Sequence, residues 1–474
     1  MSKEYSYDTP LSEILMPDGK NINNTNIEIM LNEEIPVFCR YKIAQRYRLM
    51  PFKTLYKANS NFWQKDKNWE FFLTKETLDK LREKNIIEPA ASESKDAKKT
   101  EDGSRTKSAV QSFGDDYKII AAMTNTEKVK YLSDIKNNLD DLISRKTNDK
   151  SAAANVMVKS TRDAVMINHS ALKNVFDLGD TEAKKTTQTL VYTTHEMVKS
   201  YAQLVSKNVF DNELINRLVE KSNGTVVQHM TRVYLNGIAF LAYYNNFVSN
   251  RASVINMRKT LNAKYSQYYQ NLLPNISADD IVLERIFQKG MLPVPPDLFV
   301  KWAVGFLIHD IGKADTVEYH EGEASYERSI VIEHVKLGYN SVVNKTNYPK
   351  EASLITGYHH EYYGNPEGYG YFRDHLEHYQ KANPQVRPEY CMTFDLDSIL
   401  ECHALAYFPA KILEIVDIYD SVTDLNRIYR KALNSEEAIA MMREEFITKS
   451  LKIDPILFEM FTGFIRKKQN NKVV

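Results

Sequence analysis

A chain of 474 residues with 43% hydrophobic content can build two or three domains around a sizeable core. Lys plus Arg and Asp plus Glu number 62 each, so no overall field attracts nucleic acid or an anionic membrane surface, and neither DNA nor RNA is an expected partner. Cys39, Cys391 and Cys402 form no CxxC spacing, and residues 1–8 carry no apolar signal core. Neither a disulfide framework nor a thiolate zinc site is indicated, Cys402-His403 reads as packing, no run is long enough to span a membrane, and a cytoplasmic protein is expected.

Residues 1–90 read as a small α/β accessory domain. Residues 35–41 and 69–73 are strand-like, rich in β-branched and aromatic side chains. A helix from Thr74, with Leu78 and Leu81 on one face, and a strand at Asn85-Ile-Ile complete it. Residues 91–115 are Ala, Ser, Lys, Asp and Gly with almost no large apolar side chain, a flexible linker. Residues 116–222 read as a helical connecting region, in which His169 and His195 stand isolated and read as structural or surface histidines.

Residues 223–474 carry the chemistry. An apolar helix from Val226 holds His229. A polar insertion over 250–290 follows, whose Tyr265-Ser-Gln-Tyr-Tyr-Gln270 has no basic residue and reads as a packing or surface patch. Pro293-Val-Pro-Pro296 signals a helix start, and that helix runs into Phe306-Leu-Ile-His-Asp-Ile-Gly-Lys313. His334 comes 24 residues after Asp310, and His359-His360 begins 25 residues after His334. Successive helical side chains point about 100° apart, so an adjacent histidine pair suits two metals or one metal at a helix end. Finally Asp417 and Asp420 interrupt an apolar helix over 410–423.

Buried polar groups need partners. His229, His309, Asp310, His334, His359, His360 and Asp417 are such intruders on apolar helices, and five imidazoles with two carboxylates exceed the need of one ion. A set without thiolate suits Fe, Mn, Zn or Ni. A carboxylate bridging two ions about 3.5–4 Å apart holds a hydroxide suited to attack on phosphodiesters, and Asp310 is the candidate bridge.

In order, residue type and context, these motifs resemble the HD superfamily of metal-dependent phosphohydrolases, and within it the HD-GYP domains that hydrolyse cyclic di-GMP. His229-Met-Thr-Arg-Val233, His309-Asp-Ile-Gly-Lys313, His334-Val-Lys-Leu-Gly338, Tyr358-His-His-Glu361 and Asp417-Ile-Tyr-Asp420 resemble the family's HxxRV, HDIGK, HxxxG, HHE and DxxD motifs, and Asn426–Ala432 its DRPYRKA segment. The resemblance covers roughly 223–450. It implies a mainly α protein with a C-terminal all-helical HD-type domain behind a small α/β N-terminal domain. It places two divalent ions, Fe or Mn, one on His229, His309, Asp310 and Asp417 and the other on Asp310, His334, His359 and His360. Lys313 would meet a substrate phosphate, and Arg427 and Arg430 would grip phosphates through guanidinium forks. Thr225 stands where some members carry a glutamate for a third metal, so two ions are expected.

Gly368-Tyr369-Gly370 occupies the place of the family's GYP and belongs to the substrate-binding set, with glycine where proline would fix φ near −65°. Residues 371–409 form an unusually long addition. The resulting expectation is a phosphodiesterase opening cyclic di-GMP to pGpG or GMP, with a cyclic dinucleotide as substrate, and with a diguanylate cyclase and a homodimer as the protein partners it admits. Rival readings are a non-catalytic cyclic di-GMP sensor or docking module and an HD hydrolase of another cyclic dinucleotide or nucleotide.

Overall fold

The computed structural model describes residues 36–41, 46–51, 69–73, 116–144, 150–206, 226–316, 328–364, 367–424 and 432–470, and among them the chain is mainly helical. The first three strands form an antiparallel sheet in the order β2-β1-β3, with β1 (Pro36–Tyr41) central, β2 (Arg46–Pro51) and β3 (Trp69–Leu73) at the edges, and Phe38 opposite Leu49 and Phe72. β1 and β3 lie on the strand-like stretches; β2, Arg-Tyr-Arg-Leu-Met-Pro, has little strand signal of its own and is formed by its pairing. The helix expected from Thr74, the strand at 85–87 and the linker at 91–115 lie outside the described residues. These strands belong to one unit, and the described residues from 116 onward, Ala432 excepted, form another.

In the helical unit, α1 (Asn125–Ser144), α2 (Lys150–Lys173) and α3 (Asp180–Ser206) share the core with the later helices. Thr187 Oγ1 donates to Lys345 O at 3.1 Å, and the Tyr348 hydroxyl donates to Asn168 Oδ1. Two helices are apolar on nearly every face and must therefore be central. α4 (Val226–Ser249) is buried at every residue from Val226 to Leu241, and α10 (Phe408–Thr423) from Phe408 to Asp420. Around them pack α5 (Arg251–Leu272), α6 (Pro296–Ile308), α7 (Arg328–Lys345) and α8 (Lys350–Tyr358). Pro296 starts α6 at its first helical position, where a missing N–H costs nothing. Tyr265 and Tyr269 of the aromatic run are buried in the core.

The C-terminal region is not all-helical. Within 371–409, α9 (Phe372–Ala382) leads to β4 (Glu389–Thr393), which pairs in parallel with β5 (Ala404–Tyr407) across a single helical turn at Leu396–Leu400. β4 alternates exposed and buried residues before burying Met392 and Thr393, and Gln288 N donates to Met392 O at 2.8 Å. These contacts join segments distant in sequence, which local patterning cannot announce. α11 (Ser435–Arg443) and α12 (Pro455–Asn470) complete the unit. Among the described residues no helix is long and apolar enough to cross a membrane.

Candidate metal centre

His309 is the C-cap of α6, and Asp310 follows where the chain tightens into a 3₁₀ helix, Ile311–Thr316, with Lys313 N donating to Asp310 O at 2.9 Å. Gly312 is required there, since a Cβ would run into His334 O and approach Gly338 N at 2.7 Å. That approach brings His334, inside α7, against the end of α6. His359 is the C-cap of α8, and its ring lies 4.1 Å from that of His360. His229 and Asp417 face the same point from the two central helices.

Two clusters of buried ligand atoms result, His229-His309-Asp310 and His334-His359-His360, each with its atoms within 4.8 Å of one another. Asp310 lies between them. Its Oδ2 is 3.4 Å from His229 Nε2 and 3.6 Å from His309 Nε2, while its Oδ1 is 3.1 Å from His334 Nε2 and 3.7 Å from His359 Nε2. Asp417 also spans the gap, with Oδ1 2.8 Å from His229 Nε2 and Oδ2 3.7 Å from His360 Nε2. All seven predicted ligands therefore converge.

Their protonation chemistry suits a cation. His309 Nδ1 and His359 Nδ1 donate to Phe306 O and Thr356 O, each at 2.9 Å, which leaves Nε2 as the lone-pair atom facing the centre. Burial pushes the His309 imidazole down to about 3 and holds His334 and His360 below the ordinary histidine value, so these rings are neutral. Burial opposes charge on Asp310 too, but Lys313 and the surrounding histidines outweigh it and hold the carboxyl well below the usual range. His229 is the exception: burial disfavours its cation, yet Asp310, Asp417 and Asp420 raise it well above the ordinary value. Its close approach to Asp417 is not an aligned hydrogen bond, for His229 Nε2, His309 Nε2, Asp310 Oδ1 and His360 Nδ1 are all buried without a hydrogen-bond partner. Unpaired buried polar atoms are costly, and a bound cation that displaced the extra proton of His229 would offset that cost. These buried His and Asp groups could hold a metal ion.

Comparison with family models, with curated proteins and with solved structures finds no match for this chain.

Of the expected substrate residues, Lys313 Nζ lies 2.6 Å from Asp310 Oδ2, so its charge is engaged by the centre itself. The half-buried Tyr369 ring lies 4.4 Å from the His360 ring at 31°. Arg427 and Arg430, like Thr225, lie outside the described residues. Gly370 leaves no room for a larger residue. Its N–H donates to His360 O at 3.1 Å, and a Cβ there would strike Glu361 Oε2 and come 2.9 Å from Glu361 Cα. Gly368 is as confined, at 2.6 Å from Glu361 O. Proline at 370 is therefore expected to harm this protein: Gly370→Pro should lower bound metal and melting temperature together, where Glu377→Ala, on the exposed face of α9, does not. A Gly370→Pro protein with native metal content refutes that account.

Other contributors carried no separate role in the sequence reading. Arg232, one turn after His229, forks onto Asp420, with Nε at 2.6 Å from Oδ1 and Nη2 at 2.9 Å from Oδ2, and reaches Asp424 Oδ2 at 2.6 Å. Asp420 in turn holds His229 Nδ1 at 2.8 Å, which orients the ring. The four-residue spacing of Asp420 and Asp424 across the C-terminal end of α10 is the available signal. His169 is fully buried with Nδ1 3.4 Å from the Tyr117 hydroxyl, and His195 is half-buried beside Glu196; neither joins the clusters.

Proposed function

We propose that this chain is a metal-dependent phosphodiesterase of HD-GYP type that opens cyclic di-GMP to pGpG or GMP, with two divalent ions, iron or manganese, at the His/Asp centre. The observation that carries the reading is Asp310, a fully buried carboxylate whose two oxygens face two histidine clusters. A pair of bound ions would supply Lewis acidity and a nucleophile at neutral pH. The chain's own part is to hold histidine nitrogens and two ionised carboxylates in a buried, pre-set arrangement, and to keep Lys313 at the edge of the centre, where its ammonium can meet substrate phosphate. The motif order adds independent support. The Gly368–Gly370 loop, packed on Glu361 rather than turned by proline, favours a second reading on specificity alone: hydrolysis of another cyclic dinucleotide.

Anaerobic purification with metal quantification, joined to product analysis on cyclic di-GMP and its adenine and mixed counterparts, tests both. Bound iron or manganese with turnover of cyclic di-GMP is the expected result. Absence of metal together with absence of turnover on every dinucleotide removes the enzyme reading, and preference for another dinucleotide selects the second.

A further inference from the structure

Directly behind His360 the chain is strained. Tyr362 and Tyr363 both lie in the left-handed region, at φ 44° and 51°, a conformation that bulky side chains rarely adopt and keep only where neighbours impose it. The neighbour is α10. Glu414 Oε1 accepts the Tyr362 N–H at 3.1 Å, and Lys411 Nζ lies 3.4 Å from Glu414 Oε1 and 3.3 Å from Oε2. Lys411 Nζ also sits 4.3 Å over the Tyr363 ring. Both side chains are buried, Glu414 at 0% and Lys411 at 2% exposure. A buried ion pair is a poor source of stability, because desolvation offsets its attraction, so its retention on an otherwise apolar helix needs another reason.

Geometry supplies one. Asp417, which approaches His360 Nε2, stands on α10 one turn beyond Glu414, so one rigid helix presents the carboxylate ligand and fixes the backbone that leaves His360. On the opposite side His360 O accepts Tyr369 N at 2.9 Å and Gly370 N at 3.1 Å. We infer that Glu414, with Lys411 as its counter-ion, is a positioning residue for His360, holding the strained Tyr362-Tyr363 turn through the Tyr362 N–H so that the imidazole faces the His334-His359 cluster. The inference rests on the proposed metal site and deepens it.

The test is titration of metal-free full-length protein with Mn²⁺, followed by calorimetry. In a Lys411→Met background, Glu414→Leu removes the acceptor for Tyr362 N–H, while Glu414→Gln keeps it without the charge. Apolar replacement of a buried ion pair generally preserves folding, and circular dichroism checks that both variants fold. The leucine variant is expected to bind Mn²⁺ about 10- to 100-fold more weakly, and the glutamine variant to retain near-native affinity. Equal affinities in the two variants, whether both native or both weakened, overturn the inference. Should the leucine variant not fold, Glu414→Met replaces it in the same comparison. A second measurement repeats the pair with His360→Gln added: the acceptor's removal should then cost nothing further, and an additive loss overturns the role through His360. Failure of the native chain itself to bind Mn²⁺ would instead remove the metal-site reading.

Discussion

Asp310→Ala should abolish metal loading and phosphodiester hydrolysis together. No other group on the site touches both clusters so evenly, for its Oδ1 and Oδ2 lie 3.1 and 3.4 Å from His334 and His229. Removing it also deprives Lys313 Nζ of a carboxylate at 2.6 Å, which leaves an ammonium beside a site that must accept dications. Loss of a partner that merely orients a ligand costs about 10- to 100-fold in affinity, and loss of a shared ligand should exceed that. Asp310→Asn sharpens the test, since it preserves shape and removes charge; its metal content should fall nearly as far. The control is His195→Ala, on half-buried α3 surface away from the clusters, which should keep native loading. Metal quantification with a hydrolysis assay reads both, and native activity in the alanine variant refutes the bridging role.

The metal set was readable because chemistry leaves a mark on an apolar pattern. His229, His309 and Asp417 each interrupt helices that are otherwise hydrophobic on nearly every face. Lys411 and Glu414 carry the same mark, but three-residue spacing of opposite charges usually denotes a solvated helix face. Only packing decides between these readings, and here Lys411 lies over Tyr363, which the insertion at 371–409 covers in turn: Tyr390 of β4 stacks edge-on against Tyr363 at 4.6 Å, and Arg373 of α9 reaches Glu361 Oε1 at 3.1 Å. The parallel β4-β5 pair was illegible for a related reason. Ala-Leu-Ala-Tyr has weak strand preference, and its partner lies outside any local window.

Arg232→Leu is the second large effect, and it falls on stability and metal binding by different routes. The guanidinium is the counter-ion of two buried carboxylates, Asp420 and Asp424, at 3% and 6% exposure. Burial alone would push the Asp420 carboxyl up, but Arg232 with His229 holds it down to about 2. Removing the cation of a buried pair leaves its carboxylates without their guanidinium counter-ion, and denaturant unfolding should register a loss of about 3–5 kcal/mol. Arg232→Lys should recover little, because an ammonium cannot reproduce the fork onto both oxygens of Asp420. Metal affinity should fall as well, since Asp420 fixes the His229 ring through Nδ1 at 2.8 Å. The two losses separate in the triple variant Arg232→Leu, Asp420→Asn, Asp424→Asn. Neutralising the two carboxylates should restore most of the stability, whereas an amide at 420 leaves His229 without its charged acceptor, so metal binding should stay weak. Recovery of both together would mean that Arg232 acts on the centre only by holding the fold, and that the Asp420–His229 contact has no part in orienting the ligand.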